Sequence, residues 1–281
     1  MVGARASGGS GLNTAHRQAL IEAASEVARR AAAAILEIYQ RPELDITEKA
    51  DESPLTAADM ASHRLLCSGL SDLDAAIPVL SEESDPVTIA DRRQWSRLWL
   101  VDPLDGTREF VSRNGQFCIC IALIEDGEVT GGIVLRPVGG ELYRAVRGGG
   151  AECLNADGSR AGLRVTRPAE DPPRLVVSRS HRNAETEAYV VRVGEVATVS
   201  AGSALKFCRV AAGQADLYPR LGFGGYEWDI AAGQILVEEA GGGMCMLNGE
   251  RPRYNRNETL KAPSFLAFGE QRERWLGLLQ D

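Results

Sequence analysis

The chain has 281 residues, of which 44% are hydrophobic and 25% charged, and its formal net charge is −8. This composition is typical of a globular protein with one large domain or two sub-domains, and it excludes a fibrous or a largely disordered chain. The negative charge repels nucleic-acid backbones and anionic membrane surfaces, so we expect no nucleic-acid polymer as a partner. A small phosphorylated substrate is still compatible with the charge, because bound cations can reverse the local field.

The chain contains no run of about 18 apolar residues, so we expect no signal peptide and no integral membrane segment. Six scattered cysteines without a C-x-x-C pair indicate free core thiols in a reducing cytoplasm. The start of the chain is rich in Gly, Ser and Ala, which predicts a disordered tail over residues 1–13. Two questions stay open at this point: monomer or homodimer, and peripheral association with the inner face of the cell membrane.

The first half of the chain predicts two helices followed by a set of strands. Apolar residues three and four apart predict a helix over residues 14–39, and Thr56 is a suitable N-cap for a second helix that ends near Leu70. Short apolar runs then predict strands, two of which are joined by a hairpin turn at Asp126-Gly127. These strands are expected at residues 77–80, 98–101, 117–124, 129–135 and 142–146.

The second half alternates strands with helices, so the whole chain predicts a layered mixture of helices and sheets. Three prolines between Val165 and Pro173 mark the best sub-domain boundary. We therefore expect an N-terminal sub-domain over residues 14–165 and a C-terminal one over residues 166–281. Strands are expected near residues 175–177, 216–218, 244–247 and 265–268, and helices near residues 204–212 and 229–240.

The most informative motif is D-P-L-D-G-T at residues 102–107, directly after an apolar strand. Asp102 and Asp105 supply hard oxygen ligands for Mg²⁺, and the proline between them leaves the Leu104 carbonyl free to point at the same ions. Gly106 permits a close backbone approach, and the amides of Gly106 and Thr107 can donate to an anion if a helix begins there. The simpler alternative is an Asp-Pro turn on the surface.

Further carboxylates lie at the ends of other predicted elements, where side chains can converge without loss of core packing. Asp59 lies in the first turn of the second helix, Glu82 and Glu83 follow a strand, and Asp229 begins a helix. Taken singly, Asp59 and Asp229 are typical helix N-terminal charges, and the glutamates are typical of a solvated pair. The combined set indicates a shared site.

In order and spacing, these motifs resemble the inositol monophosphatase superfamily of Mg²⁺-dependent, lithium-sensitive phosphatases, and within it the 3'(2'),5'-bisphosphate nucleotidases. The resemblance covers residues 14–268. The resemblance rests on the motifs D-P-L-D-G-T at 102–107 and W-D-I-A-A-G at 228–233, together with segments 53–59, 80–83 and 202–208. It implies an α/β (α+β layered) fold, the α/β/α/β/α sandwich of inositol monophosphatase and fructose-1,6-bisphosphatase.

The resemblance also implies roles for the site residues. Asp59 and Thr107, with Glu82 beside them, would activate a water that attacks the phosphate in line, without a phosphoenzyme. Two or three Mg²⁺ ions would be held by Glu82, Asp102, Asp105, Asp229 and the backbone carbonyl of Leu104.

Substrate choice depends on residues outside the carboxylate cluster. The resemblance implies that the inositol enzymes lack the lysine matching Lys206 and tend to carry an acidic residue where Arg220 stands. A second phosphate needs such cations away from the metal ions, although a solvated lysine and a surface ion pair are the simpler alternatives. The loop that contains Gly225 and Tyr226, where relatives often carry Thr and Met, is expected to border the base or ribose. The expected substrate-binding residues are Leu104, Asp105, Gly106, Thr107, Ser178, His181, Ser203, Lys206, Arg220 and Asp229.

The expected reaction is removal of the 3'-phosphate from adenosine 3',5'-bisphosphate, which gives AMP and phosphate in sulfur assimilation. The 3'-phosphorylated adenylyl sulfate is a second expected substrate. One alternative is an inositol monophosphatase or broad sugar phosphatase, against which Lys206 and Arg220 argue. An alternative of another class is a non-catalytic sensor of nucleotide or metal, against which the complete acidic set argues.

Overall fold

Two large β-sheets alternate with three layers of helices in the computed structural model, which describes residues 11–43, 46–48, 54–178, 183–223 and 225–279. A third, separate sheet consists of the first two strands alone. The elements of this part of the chain are, in order, α1 (Thr14–Tyr39), β1 (Ile46–Glu48), β2 (Pro54–Thr56), α2 (Ala57–Leu73), β3 (Val79–Ser81), α3 (Pro86–Asp91), a short 3-10 helix (Arg92–Gln94), β4 (Arg97–Asp105), α4 (Thr107–Val111), β5 (Cys118–Glu125), β6 (Glu128–Leu135), β7 (Leu142–Val146), β8 (Gly150–Leu154), β9 (Arg160–Gly162), β10 (Arg174–Ser178), α5 (Ala184–Val193), β11 (Ala197–Ala201), α6 (Leu205–Ala211), β12 (Leu217–Arg220), α7 (Glu227–Glu239), β13 (Gly243–Met246), β14 (Phe265–Phe268) and α8 (Arg272–Gly277).

The larger sheet has seven strands in the order β3-β4-β5-β6-β7-β8-β9, with β3 and β4 parallel and the other neighbours antiparallel. Successive residues of a strand point to opposite faces. Trp99 and Val101 of β4 therefore join the apolar cluster beneath α1 and α2, whereas Leu98 and Leu100 join the cluster on the other face. Both faces of β4 are covered, so its polar end is held in a rigid frame.

The smaller sheet has five strands in the order β11-β10-β12-β14-β13. Helices α6 and α7 lie between the two sheets, in an apolar cluster to which both sheets contribute, for example Leu100 of β4 and Phe265 of β14. Tyr189 of α5 and Trp275 of α8 pack on the outer face of the smaller sheet. The layers are therefore α/β/α/β/α, which confirms the expected fold class.

Elements with a strong apolar pattern lie where the sequence predicts them. The observed bounds of α1, β7 and β14 are those predicted, and Thr56 caps α2, which continues to Leu73. The prediction missed elements with little apolar surface to bury, such as α5, where Tyr189 is the buried residue, and the exposed strand β9. The register of an exposed element leaves no periodic signal in the sequence.

Most of the predicted disordered tail, residues 1–10, lies outside the described residues. The end of that tail was wrongly assigned, because Leu12 N donates to Glu125 Oε1 at 2.9 Å and the Asn13 side chain caps α1. All six cysteines are free and five are buried, as predicted. The sub-domain division after residue 165 stays a prediction. Among the described helices, none combines the length and the apolar character that a bilayer crossing requires.

Candidate active site

A β-bulge at the end of β4 places two carboxylates on one face of the larger sheet. Asp102 pairs with Cys120 and Asp105 with Cys118, so two residues of β4 face one residue of β5 between these pairs. Leu104 N donates to Asp102 Oδ1 at 2.9 Å and fixes the turn. Because cross-strand partners share a face, Asp102 and Asp105 both point toward the layer of α6 and α7.

The turn requires a glycine where the sequence has Gly106. Its φ is +96°, and a Cβ built there would lie 2.0 Å from Ser203 Oγ. Helix α4 begins at the next residue, Thr107, which meets the condition under which the amides of Gly106 and Thr107 can donate to an anion. Ser203, an expected substrate-binding residue, donates from Oγ to the Gln116 carbonyl at 2.9 Å. Its hydroxyl proton is therefore already engaged in a hydrogen bond within the protein.

Asp59 and Thr107 are brought into contact by the N-terminus of α2. Asp59 is 3% exposed, and its Oδ2 accepts from Thr56 N at 2.8 Å and from Thr56 Oγ1 at 2.5 Å. Thr107 Oγ1 donates to Asp59 Oδ1 at 3.3 Å. Ser62 of α2 also donates to the Pro103 carbonyl at 2.7 Å, which joins α2 to the bulge. The carboxylate therefore has its two oxygens committed to two different hydroxyl groups.

The remaining acidic residues reach the same place from two other elements. Glu82 follows β3, where its backbone amide donates to the Val101 carbonyl at 3.0 Å. Asp229 lies in the first turn of α7, and its Oδ2 accepts from Tyr226 N at 2.8 Å. The pKa of Asp229 is held well above its usual range, first by burial and next by the charge of Asp105, with Glu82 adding to the effect.

The pKa of Asp102 is also far above its usual range, because of burial and then the charges of Glu82, Asp105 and Asp229. Burial raises the pKa of Asp105 too, although Lys206 and the Ala204 amide oppose that change. Among the described residues, no Lys or Arg lies within 4 Å of Asp102, Asp105 or Asp229 as an ion-pair partner. Mutually repelling carboxylates that share a site need a cation, and their hard oxygens fit Mg²⁺.

Two thiols lie behind Asp105, which the sequence analysis did not anticipate. The Sγ atoms of Cys118 and Cys120 lie 3.7 Å and 4.0 Å from Asp105 Oδ2, and both residues are buried. Burial raises the pKa of Cys118, and hydrogen bonding to Cys118 together with burial raises that of Cys120. The thiols therefore stay protonated and donate to the carboxylate. Their alternation along the predicted strand indicated only that the two thiols share a face of the sheet, not that this face meets Asp105.

Two cations lie beside the carboxylate cluster. Lys206 of α6 is 5% exposed, its Nζ lies 5.4 Å from the centroid of the Tyr218 ring, and its charge acts on Asp105. Arg220 ends β12, donates from Nε to the Phe223 carbonyl at 3.0 Å, and lowers the pKa of Asp229. Both are therefore placed where an additional anionic group of a ligand would lie near the carboxylates.

Ser178, His181 and Leu104 are the remaining expected site residues. The side chain of Ser178, at the end of β10, and the whole of His181 lie outside the described residues. Leu104 is 2% exposed because its side chain belongs to the apolar core beneath α1 and α2. A contribution of Leu104 to the site therefore comes from its backbone, as expected.

A buried polar network supports the start of α7 and was also missed. Arg92 donates to Asn255 Oδ1 at 2.8 Å, and Asn255 N donates to Glu227 Oε2 at 2.7 Å. Burial raises the pKa of Glu227 to about 7, against the hydrogen bond from Asn255 and the charge of Arg92. These residues come from distant parts of the chain, so no local pattern marks the network. It holds the helical turn that carries Asp229.

The model of the inositol monophosphatase family matches residues 16–277. The chain belongs to this family. The 3'(2'),5'-bisphosphate nucleotidase CysQ of Escherichia coli O6:H1 is 44% identical over 249 residues, which cover 88% of this chain and 98% of the relative. The crystal structure of CysQ from Bacteroides thetaiotaomicron, a bacterial member of the family, is 38% identical and superposes with a TM-score of 0.80, covering 90% of this chain and 98% of the other.

A more distant structure shares the fold alone. An inositol monophosphatase/NADP phosphatase in complex with Mg²⁺ and phosphate is 22% identical, with a TM-score of 0.75 and coverage of 94% of this chain and 96% of the other. The family and the fold implied by the sequence motifs are thus confirmed. The roles of the individual site residues stay proposals.

Proposed function

We propose that the chain is a Mg²⁺-dependent 3'(2'),5'-bisphosphate nucleotidase, which hydrolyses adenosine 3',5'-bisphosphate to AMP and phosphate. The observation that carries the proposal is the pair of cations, Lys206 and Arg220, beside the carboxylate cluster. A substrate with a second phosphate needs such donors, whereas a sugar monophosphate does not. The identity of 43–44% with CysQ nucleotidases supports the same activity. The 3'-phosphorylated adenylyl sulfate, which carries the same 3'-phosphate, is included as a substrate.

The proposed metal ligands are the residues whose charges are mutually unfavourable without a cation. Bound Mg²⁺ supplies Lewis-acid neutralisation of the negative charge on the phosphate oxygens. Two or three ions are proposed, since each hard cation takes several oxygen ligands. The ligands would be Glu82, Asp102, Asp105, Asp229 and the Leu104 carbonyl.

Thr107 and Asp59 are proposed to activate the attacking water. Thr107 Oγ1 donates its proton in the hydrogen bond to Asp59 Oδ1. The lone pairs of the Thr107 hydroxyl are then left as acceptors for a proton of the attacking water. Asp59 is held by Thr56 and cannot rotate away without losing two further hydrogen bonds. The pair can thus orient a water and accept its proton as the water attacks phosphorus in line.

A protein nucleophile is not needed for this reaction. The nearby thiols, Cys118 and Cys120, have raised pKa values and point at Asp105 from within the core. A thiol in this state is a poor nucleophile. Direct attack by water is therefore the proposed route. The six free cysteines also support action in a reducing cytoplasm. The identity with CysQ supports a role in sulfur assimilation.

The test is phosphate release with Mg²⁺ from adenosine 3',5'-bisphosphate and from inositol 1-phosphate, measured in parallel as kcat/KM. We expect preference for the bisphosphate. Lys206→Met should lower kcat/KM for the bisphosphate by about tenfold or more, as expected for loss of a charged hydrogen bond. It should lower kcat/KM for inositol 1-phosphate much less, because there only the effect of the Lys206 charge on Asp105 is lost. Arg160→Met, at an exposed arginine of the edge strand β9, is the control.

The other outcomes separate the alternatives. Preference for inositol 1-phosphate would indicate an inositol monophosphatase and remove the role of Lys206 and Arg220. Absence of turnover on both compounds, with the chain folded and Mg²⁺ bound, would favour a non-catalytic sensor.

A further inference from the structure

The loop that follows β12 presents an exposed aromatic ring. Phe223 is 50% exposed, and among the large apolar side chains exposed in the described part of the chain it is the only aromatic one. Exposure of a phenyl ring to water is unfavourable unless a ligand or partner covers it. The exposed Phe223 ring is therefore a candidate contact surface for a ligand or partner.

Neighbouring rings connect Phe223 to the carboxylate cluster. Its ring meets the Tyr226 ring edge-on, with 5.5 Å between the centroids, and Tyr226 stacks on Trp228 at 5.1 Å. The Tyr226 amide in turn donates to Asp229 Oδ2 at 2.8 Å. The row of rings thus runs from Trp228 through Tyr226 to the exposed Phe223, and the backbone of its middle residue is bonded to a proposed metal ligand.

The same loop holds a cation. The Phe223 carbonyl accepts from Arg220 Nε at 3.0 Å, and the Gly222 carbonyl accepts from Ser264 Oγ at 2.6 Å. The first bond fixes the guanidinium relative to the ring, and the second ties the loop to the segment before β14. One anchored unit therefore offers a flat apolar face beside a group suited to phosphate.

We propose that Phe223 stacks against the nucleobase of the substrate while Arg220 contacts one of its phosphates. This inference rests on the proposed nucleotidase function and names a residue that selects the substrate class. A nucleoside bisphosphate carries both an anionic and a flat aromatic group, whereas an inositol phosphate has no flat face. Because every base has such a face, the contact selects nucleotides over sugar phosphates with little preference among the bases.

The test compares two substrates that differ in the base alone. These are adenosine 3',5'-bisphosphate and 1-deoxyribose 3,5-bisphosphate, which keeps the sugar and both phosphates. Phe223→Ala should raise KM for the adenosine compound about tenfold and change kcat by less than about twofold, since stacking is equally present in the ground and transition states. The compound without a base should bind equally well to the wild type and the variant.

Two further variants serve as controls for the effect of Phe223→Ala. Phe223→Trp keeps a stacking face and should keep a KM close to the wild-type value. Val191→Ala truncates another exposed apolar side chain, 78% exposed on α5, and should change neither substrate. The urea midpoint of each variant reports whether it is folded.

Equal effects of Phe223→Ala on both substrates, or an unchanged KM for the adenosine compound, would overturn stacking and leave the nucleotidase proposal intact. A wild-type chain that hydrolyses neither compound would overturn both proposals. A strong preference for adenosine over guanosine 3',5'-bisphosphate that Phe223→Ala abolishes would also contradict a contact that tolerates every base.

Discussion

The aspartates of the candidate site illustrate how single residues trade stability for function. Asp102 is 2% exposed and shares its surroundings with three other carboxylates, so its charged form is disfavoured by burial and by repulsion. A residue selected for stability alone would be neutral at this position. The arrangement therefore implies that a cation is part of the working site.

Asp102→Asn should make the metal-free protein more stable at pH 8, because it removes a charge that the fold disfavours. Since the folded pKa of Asp102 is raised, its contribution to stability is full below its unfolded pKa and is lost as pH rises through the folded value. The gain in the free energy of unfolding should therefore grow from pH 5 to pH 8.

The same variant should lose the increase in Tm that Mg²⁺ gives the wild type, and kcat/KM should fall by about a hundredfold or more. Urea unfolding in EDTA and thermal unfolding with Mg²⁺ measure the two effects. Asp72→Asn, at an exposed position of α2, is the control. A metal-free Asp102→Asn protein less stable than the wild type at pH 8 would contradict the electrostatic argument.

The contact between Thr107 and Asp59 gives a second prediction at the scale of residues. Thr107→Val keeps the shape of the side chain and removes the hydroxyl that donates to Asp59. We expect kcat to fall by about a hundredfold or more, the usual effect of losing proton transfer, with KM little changed. Thr107→Ser should restore most of kcat, and Thr198→Val, on the exposed strand β11, should change neither constant. A rise in KM without a fall in kcat would assign Thr107 to binding instead.

These residues also show what the sequence could reveal. Asp102 and Asp105 were predicted because they lie in one short motif with a proline and a glycine, and Asp59 because it lies in a helix cap. Cys118 and Cys120 were interpreted as core thiols, which is correct, but their contact with Asp105 depends on the register of β4 against β5. A bulge shifts that register, and no local pattern in either strand announces it.

At the scale of elements, α7 matters most, because its first turn carries Asp229 and its middle packs between the sheets. That first turn is held by the buried network of Arg92, Asn255 and Glu227. Among the residues that the structure describes, none is a hydrogen-bond partner of Glu227 Oε1. A buried carboxyl in this state favours its protonated form, which is why its pKa lies at about 7.

Glu227→Gln should reduce the dependence of stability on pH. The folded pKa of about 7 is above the usual 4.5, so the contribution of Glu227 is full below about pH 4.5 and is lost as pH rises through 7. The wild type should lose up to about 3 kcal/mol over this range relative to the variant. Urea unfolding in EDTA at several pH values measures the difference. Glu273→Gln, at an exposed glutamate, is the control, and parallel pH profiles of Glu227→Gln and the wild type would refute the prediction.

Elements differ in how well they could be predicted, for the same physical reason. Helix α1 buries a stripe that includes Leu20, Ile35 and Ile38, and this stripe is visible as a period in the sequence. Helix α5 buries Tyr189 alone among its residues and rests on caps and polar contacts. The strand order of the smaller sheet, with β14 between β12 and β13, depends on tertiary packing and has no local signal.

At the scale of the whole molecule, the layer of α6 and α7 joins the two sheets into one core. Close approach between these helices is made possible by Gly233, where a Cβ would lie 2.2 Å from the Phe207 ring. That ring is itself enclosed by Tyr218 and Phe265, with centroids 5.0 Å and 5.5 Å away. The ring therefore has little room to move aside.

Gly233→Ala should destabilise the protein by about 1–3 kcal/mol, the usual cost of overpacking a core. Gly277→Ala is the matched control, because nothing lies within 4 Å of a Cβ at that position, and it should be neutral or slightly stabilising. Urea midpoints of both variants measure the difference. A Gly233→Ala protein as stable as the wild type would show that the central layer can relax.

The separation of Asp102 and Asp229 along the chain has a consequence for biosynthesis. All seven strands of the larger sheet precede α7 in the chain, so they are synthesised before α7. Until α7 docks, Asp102 and Asp105 of β4 lack Asp229, the acidic residue that α7 contributes to the candidate site. On the proposed function, a nascent chain is inactive toward nucleotides until α7 has left the ribosome and docked between the sheets.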